Sequence, residues 1–278
     1  MQGAAFAAVG LDWQYELWNT PLEELHARVK MIRECADISG ANVTIPHKQN
    51  VFPLMDEITP HARAIGAVNT IIKTQTSGVA QNLRGLQNPG GLCQLLGDNT
   101  DWLGFLADLR YHGVQPEVLP RALVLGAGGS ARAIVYALAS CGVHVCVLNR
   151  DPVRAQQLVE ALQASCSGLL QAGALTPAVL RAQNEARLIV NCTSAGMSPN
   201  AETSPWPDDV AFPAGATLYD LVYKPRQTRL MHQAQAANLA VIGGIGMLAE
   251  QGAAAFERWT AIPAARVTDV MRAALEES

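Results

Sequence analysis

Lys48 and Asp101 are the side chains whose settings suggest proton chemistry. Lys48 ends the run Asn42-Val43-Thr44-Ile45-Pro46-His47-Lys48, in which an apolar strand passes into a turn stiffened by Pro46. A lysine delivered just beyond a strand stands at the rim of a cleft. Asp101 ends Asp98-Asn99-Thr100-Asp101, at the head of an expected helix. An ionised carboxylate there can orient an ammonium group. Such a pair could exchange a proton with a substrate hydroxyl. The competing reading is that both are solvated surface residues, the commoner fate of Lys and Asp. Asn42, Thr44 and Asn69 could bind substrate hydroxyls or cap their own turns. Gln251 shares a helix with Met247 and is either turned to the site or plain helix surface. Cys192 beside Asn191 could act as a nucleophile, but no local histidine partners it, and a small buried thiol is the simpler reading. The 6 histidines lack metal-ligand spacing, and His47 reads as a loop residue.

A second site lies in Arg121 to Arg150, RALVLGAGGSARAIVYALASCGVHVCVLNR. An apolar run at Arg121–Leu125 fits a buried parallel strand. Gly126, Gly128 and Ala131 then give G-x-G-x-x-A, with Ala127, Gly129 and Ser130 between them. Ile134, Val135 and Leu138 carry a helical spacing, Gly142 ends that helix, and Val143–Leu148 is a second strand. Strand, glycine turn, helix and strand are the setting a dinucleotide-binding motif needs. Gly126 permits the tight turn, Gly128 lets backbone N–H groups approach a pyrophosphate, and Ala131 lets the helix pack close. The helix N-terminus supplies positive potential for phosphates. Beyond the second strand stand Asn149, Arg150 and, a turn later, Arg154, where NAD enzymes usually place an acidic residue. Two guanidinium groups suit a 2′-phosphate, so the expected cofactor is NADP. Asp151 beside them would repel that phosphate, and Arg154 could instead lie on a solvated helix face. With a nicotinamide in play, Lys48 would move the proton while the hydride is carried by the cofactor.

The totals limit the alternatives. A chain of 278 residues suits one or two domains. A net charge of −4 and a pI near 5.9 argue against nucleic-acid or anionic-membrane partners. The 6 cysteines form no C-x-x-C, which fits reduced thiols in the cytoplasm. Ala4–Leu11 is apolar but has no positive charge before it, a poor signal peptide. No stretch has the length and apolarity of a membrane span.

Around these sites the pattern alternates. Ala4–Val9 reads as helix and Trp13–Leu17 as strand. Thr20-Pro21-Leu22-Glu23 is a capping box opening a helix to Cys35 with Leu22, Leu25, Val29 and Ile32 inward. A strand follows at Gly40–Val43, then short helices at Gln49–Ile58 and Thr59–Ile65, then a strand at Gly66–Ile72. Lys73–Gly97, rich in Gly, Gln and Asn, reads as a hairpin excursion or passive surface loop rather than a lid. Trp102–His112 is a helix, and Gln115–Pro120 a boundary. After Arg150 come helices at Val153–Ala164 and Thr176–Asn184 and a strand at Arg187–Val190 leading to Asn191-Cys192-Thr193-Ser194-Ala195-Gly196-Met197. A strand at Thr217–Leu221, a helix at Arg226–Ala237 and a strand at Leu239–Ile242 complete the alternation. Helices at Gly246–Trp259 and Ala264–Leu275 end the chain. Strands alternating with helices give an α/β fold with a parallel doubly wound sheet and ligands at the strand C-terminal ends.

The motifs Asn-Val-Thr-Ile-Pro-His-Lys, Gly-Ala-Val-Asn-Thr, Asp-Asn-Thr-Asp, Gly-Ala-Gly-Gly-Ser-Ala, Asn-Cys-Thr-Ser-Ala-Gly-Met and Gly-Met-Leu-Ala-Glu-Gln occur in that order. Together they resemble the shikimate dehydrogenase family over nearly the whole chain. The resemblance implies reversible NADPH-dependent reduction of 3-dehydroshikimate to shikimate, in chorismate and aromatic amino-acid biosynthesis. It implies Lys48 as acid–base with Asp101 as partner, and substrate contacts from Thr44, Asn69, Tyr223 and Gln251, with Asn42 lining the pocket. It places the cofactor on Gly126–Ser130, Asn149–Arg154, Thr193, Leu221 and Gly244. It implies a two-domain α/β fold: a discontinuous substrate domain of 1–103 and 246–278, and a Rossmann-type NADP domain of 104–245. A monomer or homodimer is expected. Three departures stand out. The family begins with a strand and a His-Ser-x-Ser-Pro turn whose serines grip the substrate carboxylate. Met1–Phe6 lies where the family has the following helix, so those serines are missing and weak turnover is expected. The 73–97 segment is longer than the family hairpin, and Asp151 replaces a Thr or Ser. Two alternatives share most of these residues: a quinate/shikimate dehydrogenase using NAD, and a catalytically impaired NADP-binding relative.

Overall fold

The computed structural model describes residues 1–74 and 93–277. The chain opens with helices α1 (Gln2–Ala8) and α2 (Leu25–Glu34), followed by strand β1 (Gly40–Asn42). Next come β2 (Glu57–Ile58), α3 (Pro60–Ile65), β3 (Thr70–Thr74) and β4 (Gln94–Asp98). These strands form a mixed sheet in the order β1-β3-β4-β2; β3 runs antiparallel to β1 and β4, and β2 parallel to β4. On α2, Leu25, Val29 and Ile32 recur at helical spacing and bury against Val51, Ala62, Val68, Ile71 and Leu95. The Thr59 hydroxyl caps α3 by accepting from the Ala62 N–H at 3.3 Å, and Gly66 ends it at φ +69°, a conformation that favours glycine.

Helix α4 (Asp101–Tyr111) leads out of this sheet into a second. There β5 (Arg121–Leu125), α5 (Gly129–Ser140), β6 (His144–Asn149), α6 (Pro152–Gln163), β7 (Leu170–Ala174), α7 (Pro177–Arg181) and β8 (Leu188–Asn191) alternate. Strand β9 (Thr217–Asp220), α8 (Arg229–Ala236) and β10 (Ala240–Gly243) complete the unit. All six strands are parallel, in the order β10-β9-β8-β5-β6-β7, a doubly wound sheet. Helices cover both faces, so central strands such as β5 and β8 read as continuous apolar runs. Helix α9 (Ile245–Thr260) then carries the chain back to the first unit, and α10 (Thr268–Glu276) packs on it. Ala249, Ala253, Phe256, Val267 and Met271 bury there against Ala5 and Phe6; the Phe6 and Phe256 ring centroids lie 5.5 Å apart.

Several expected elements differ. Trp13–Leu17 alternates but joins no ladder, and Leu17 is 90% exposed. The Thr20 capping box does not form. The Thr20 carbonyl is taken by His47 Nε2 at 2.7 Å and its hydroxyl turns toward the Trp18 carbonyl. The chain therefore winds as a single 3₁₀ turn at Leu22–Glu24, and Leu22 is 56% exposed rather than inward. The helix expected at Gln49–Ile58 is a 3₁₀ turn, Phe52–Leu54, followed by the two-residue strand β2. Of the two readings of Lys73–Gly97, the described ends fit the hairpin excursion: Gln94–Asp98 is strand β4, antiparallel to β3, while 75–92 lies outside the described residues. Strand β7 was not foreseen. Its sequence, Leu-Gln-Ala-Gly-Ala, has no β-branched residue, and pairing with β6 makes it a strand. Ala264–Arg266 is a 3₁₀ turn ahead of α10.

Candidate active site

The end of β4 and the head of α4 set Asp101 where the two sheets meet. Asp101 Oδ2 accepts from Lys48 Nζ at 2.6 Å, and Oδ1 from Asn69 Nδ2 at 2.8 Å. The carboxylate is almost fully buried, its side chain 4% exposed, and its backbone N–H is fixed by Asn99 Oδ1 at 3.1 Å. Lys48 is held through its carbonyl, which accepts from the Val68 N–H at 2.8 Å just ahead of β3. Asn69 is the hub. Its amide N–H₂ also reaches Thr100 Oγ1 at 3.0 Å and Gln251 Oε1 at 3.3 Å, and its oxygen accepts from the Thr100 N–H at 2.7 Å. Gln251 arrives on α9 because α4 and α9 cross closely: a Cβ at Gly104 would stand 2.6 Å from the Gln251 nitrogen. Asn42 joins from β1, its amide N–H₂ 3.4 Å from the Asn69 carbonyl and its oxygen accepting from the Tyr15 hydroxyl at 3.0 Å.

Against Lys48 stands the glycine turn. Gly126 sits at φ +107°, and a side chain there would press on the Cys192 backbone at 3.1 Å. Gly128 precedes α5 and is exposed, with open space where a Cβ would go. Ala131 is fully buried against the sheet. The two sites touch through Lys48: its stem lies against Gly129, where a Cβ would stand 3.2 Å from Lys48 Cβ, and Nζ donates to Ser130 Oγ at 3.4 Å. At the end of β6, Asn149 Nδ2 donates to the Asp151 carbonyl at 2.9 Å, and Arg150 and Arg154 are exposed. Asp151 caps α6, accepting from the Val153 N–H at 3.0 Å, so its carboxylate is turned into the helix start. Gly244 lies so close to the Leu221 carbonyl that any side chain would overlap it. Thr193 donates its hydroxyl to Asn191 Oδ1 at 2.7 Å, and Asn191 in turn donates to the buried Asp220 at 2.8 Å. An open glycine turn at a helix N-terminus, with exposed arginines one strand away, fits a dinucleotide bearing a 2′-phosphate.

Two family models match the chain: the shikimate dehydrogenase substrate binding domain over residues 1–71, and the shikimate 5′-dehydrogenase C-terminal domain over 244–276. A shikimate dehydrogenase (NADP(+)) of Symbiobacterium thermophilum is 39% identical over 264 residues, 93% of this chain and 83% of that protein. One from Moorella thermoacetica is 39% identical over 282 residues, 100% of this chain and 89% of that protein. The chain belongs to the shikimate dehydrogenase family. The solved shikimate 5-dehydrogenase of Thermus thermophilus, in complex with NADP(H) and shikimate, is 37% identical. It matches with a TM-score of 0.79 over 98% of this chain and 92% of that one.

Within this shikimate dehydrogenase fold, Lys48, Asp101, Asn69, Gln251 and Asn42 form one hydrogen-bonded cluster. Thr44 and Tyr223 do not join it. Thr44 is exposed and engages through its carbonyl, which accepts from the His47 N–H at 2.8 Å, and Tyr223 is 50% exposed. Thr100, Thr70 and Tyr15 were missed. Thr70 donates to Asn69 Oδ1 at 2.8 Å, and Thr100 donates to the Gln251 carbonyl at 3.0 Å. The signal for the two threonines was their place beside Asn69 and Asp101 in chain; Tyr15 had none. Cys192, half-buried, has a setting that disfavours the thiolate a nucleophile needs. Burial, then the Asp220 and Asp101 carboxylates, push its thiol far up, with Lys48 opposing. Burial likewise raises Asp220 above the usual carboxylate range, although Thr228, Val222 and Asn191 all donate to it. Among the described residues no group of three or more His, Cys, Asp or Glu could hold a metal, and no helix is long and apolar enough to cross a membrane.

Proposed function

We propose that the chain interconverts 3-dehydroshikimate and shikimate, with Lys48 as the acid–base group. The observation that carries this reading is the position of Lys48, bonded to Asp101 and touching Ser130 of the glycine turn. NADPH supplies the hydride. Lys48 Nζ gives its proton to the ketone oxygen as the hydride adds to the carbonyl carbon, and solvent restores it; in the oxidative direction both steps reverse. Asp101 aims the ammonium group through Oδ2, while Asn69 fixes the other carboxylate oxygen. Asn42, Thr44, Asn69, Tyr223 and Gln251 are the groups we assign to the substrate. Gly126–Ser130, Thr193, Leu221 and Gly244 would cradle the pyrophosphate and nicotinamide end, and Asn149, Arg150 and Arg154 the 2′-phosphate. The domain division that fits is 1–103 with 246–278 for the substrate and 104–245 for NADP. The chain uses NADP and serves aromatic amino-acid biosynthesis, a pathway we place in the cytoplasm. The test is reduction of NADP followed at 340 nm (roughly the reduced-nicotinamide band) with shikimate, quinate or no substrate, and with NAD in place of NADP. Shikimate-dependent NADP reduction is expected. Turnover of quinate with NAD at equal efficiency, or none with shikimate, would overturn the reading.

A further inference from the structure

The chain passes between its two sheets twice, outward along α4 and back along α9, and one buried polar cluster sits where both helices meet the nucleotide sheet. Its centre is Tyr219 on β9, a fully buried residue. The Tyr219 hydroxyl donates to Asp108 Oδ2 on α4 at 2.6 Å. Asp108 is fully buried, and its other oxygen accepts from Arg272 Nη2 on α10 at 2.7 Å. Arg272 also donates to Glu250 Oε1 on α9 at 2.7 Å, and its guanidinium lies 4.2 Å over the Tyr111 ring. Gly246 makes the room: a side chain there would overlap the Asp108 carboxylate.

This cluster does not touch Lys48 or the glycine turn, yet each element it joins carries part of the site. Asp101 heads α4, two turns before Asp108. Gln251 follows Glu250 on α9, and Gly244 immediately precedes α9. Asp220 and Leu221 follow Tyr219. Burying a carboxylate and a guanidinium gains little stability over apolar side chains of the same size, because desolvation offsets most of the attraction. What such a cluster does supply is direction: each hydrogen bond allows one geometry, whereas an apolar contact allows several. We propose that Tyr219, Asp108 and Arg272 are positioning residues that set the angle of the α4–α9 pair on the nucleotide sheet. They thereby set the separation between the Lys48–Asp101 site and the nicotinamide end of the cofactor. The proposal rests on the reading of Lys48 and Asp101 given above.

Tyr219→Phe removes one hydroxyl and keeps the ring edge-on to Phe105, 5.1 Å away. A misplacement of reacting groups by about 1 Å can cost about 10²-fold in rate, and a shift of about half that correspondingly less. So Tyr219→Phe should lower the single-turnover rate of hydride transfer about ten-fold, with the Kd for NADPH and for shikimate within about two-fold of the parent. Hydrogen exchange in the cofactor-free chain should quicken at the head of α9 and the middle of α4, and the core of α5 should stay unchanged. Arg272→Lys, which keeps a cation on Asp108, should fall between the parent and Arg272→Met on both measures. A parent-like single-turnover rate in Tyr219→Phe, with only the melting temperature lowered, would overturn the proposal. So would unchanged exchange at α4 and α9. If the parent itself does not turn over shikimate, the assignment of Lys48 and Asp101 fails separately, and the exchange measurement alone decides the positioning role.

Discussion

Lys48 Nζ lies 2.6 Å from Asp101 Oδ2, although the two residues are 53 apart in sequence and come from different elements. Neither owes its place to the other. Lys48 is pinned by its carbonyl to Val68 and by its stem against Gly129, while Asp101 is fixed by Asn99 and Asn69. Each is thus anchored by its own neighbours, the positioning that an acid–base pair would need.

Lys48→Ala should lower kcat by roughly 10²–10⁴, the usual share of general acid–base catalysis, with the Kd for NADPH nearly unchanged. Asp101→Asn should cost less, since an amide oxygen can still accept from Lys48 and no proton passes through the carboxylate. Steady-state kinetics with fluorescence titration of NADPH checks both. A near-parental kcat for Lys48→Ala would remove it from the mechanism.

Arg150→Ala should weaken NADP by about ten-fold or more, since a charge-assisted hydrogen bond contributes roughly 1.5–3 kcal/mol. NAD, which lacks the 2′-phosphate, should be nearly indifferent. Asp151→Ala, by contrast, removes the α6 cap and should act first on stability, by about 1 kcal/mol. Isothermal titration with both nucleotides and a thermal melt separate the effects. Equal losses for NADP and NAD in Arg150→Ala would sink the assignment.

The parts of this architecture carried by local chemistry were legible in the chain. The glycine turn reads from sequence because its strands, Gly126 and Ala131 each meet a steric need within about thirty residues. The caps at Thr59 and Thr176, each followed by proline, read for the same reason, whereas Thr228, which caps α8, falls inside the helix expected from Arg226. Long-range relations did not. Thr20 has the residues of a capping box, but His47 claims its carbonyl from 27 positions away. Strand β7 exists because β6 offers it an edge. Lys48 and Asp101 looked like surface residues until the motifs around them were taken together, since no periodicity tells which of many lysines faces which carboxylate. The Tyr219–Asp108 bond spans 111 positions, and nothing in either neighbourhood announces it.

Gly129 looks, in sequence, like another residue of the phosphate turn, but the structure gives it a second task. A Cβ there would stand 3.2 Å from Lys48 Cβ and 3.6 Å from Cδ. Gly129→Ala should therefore push the lysine stem by a few tenths of an ångström, lowering kcat about two- to ten-fold. The Gly128 position faces open space, and Gly128→Ala should act through cofactor Kd instead. Measuring kcat and NADPH Kd for both variants tests the division of roles. A Gly129→Ala enzyme with normal kcat and weakened NADPH would return Gly129 to the phosphate turn alone.

Cys192 provides the last test, because its sequence position beside Asn191 and its distance in chain from any histidine leave two opposite roles open. Its thiol is raised far above the usual range by burial, then by Asp220 and Asp101, against a smaller opposing effect of Lys48. The thiolate is the form that attacks an electrophile. A raised value means less thiolate at a given pH, so Cys192 should remain protonated at pH 8 and react with iodoacetamide far more slowly than a free thiol. Peptide mapping by mass spectrometry after timed alkylation of the folded chain reads this directly. On the same chemistry the sulfur is expected to take no part in turnover. Cys192→Ala should leave kcat within about two-fold, with at most a modest loss of stability from the small cavity. Fast alkylation of Cys192 in the folded chain, protected by shikimate and accompanied by loss of turnover in Cys192→Ala, would restore the nucleophile reading and displace Lys48 as the centre of the chemistry.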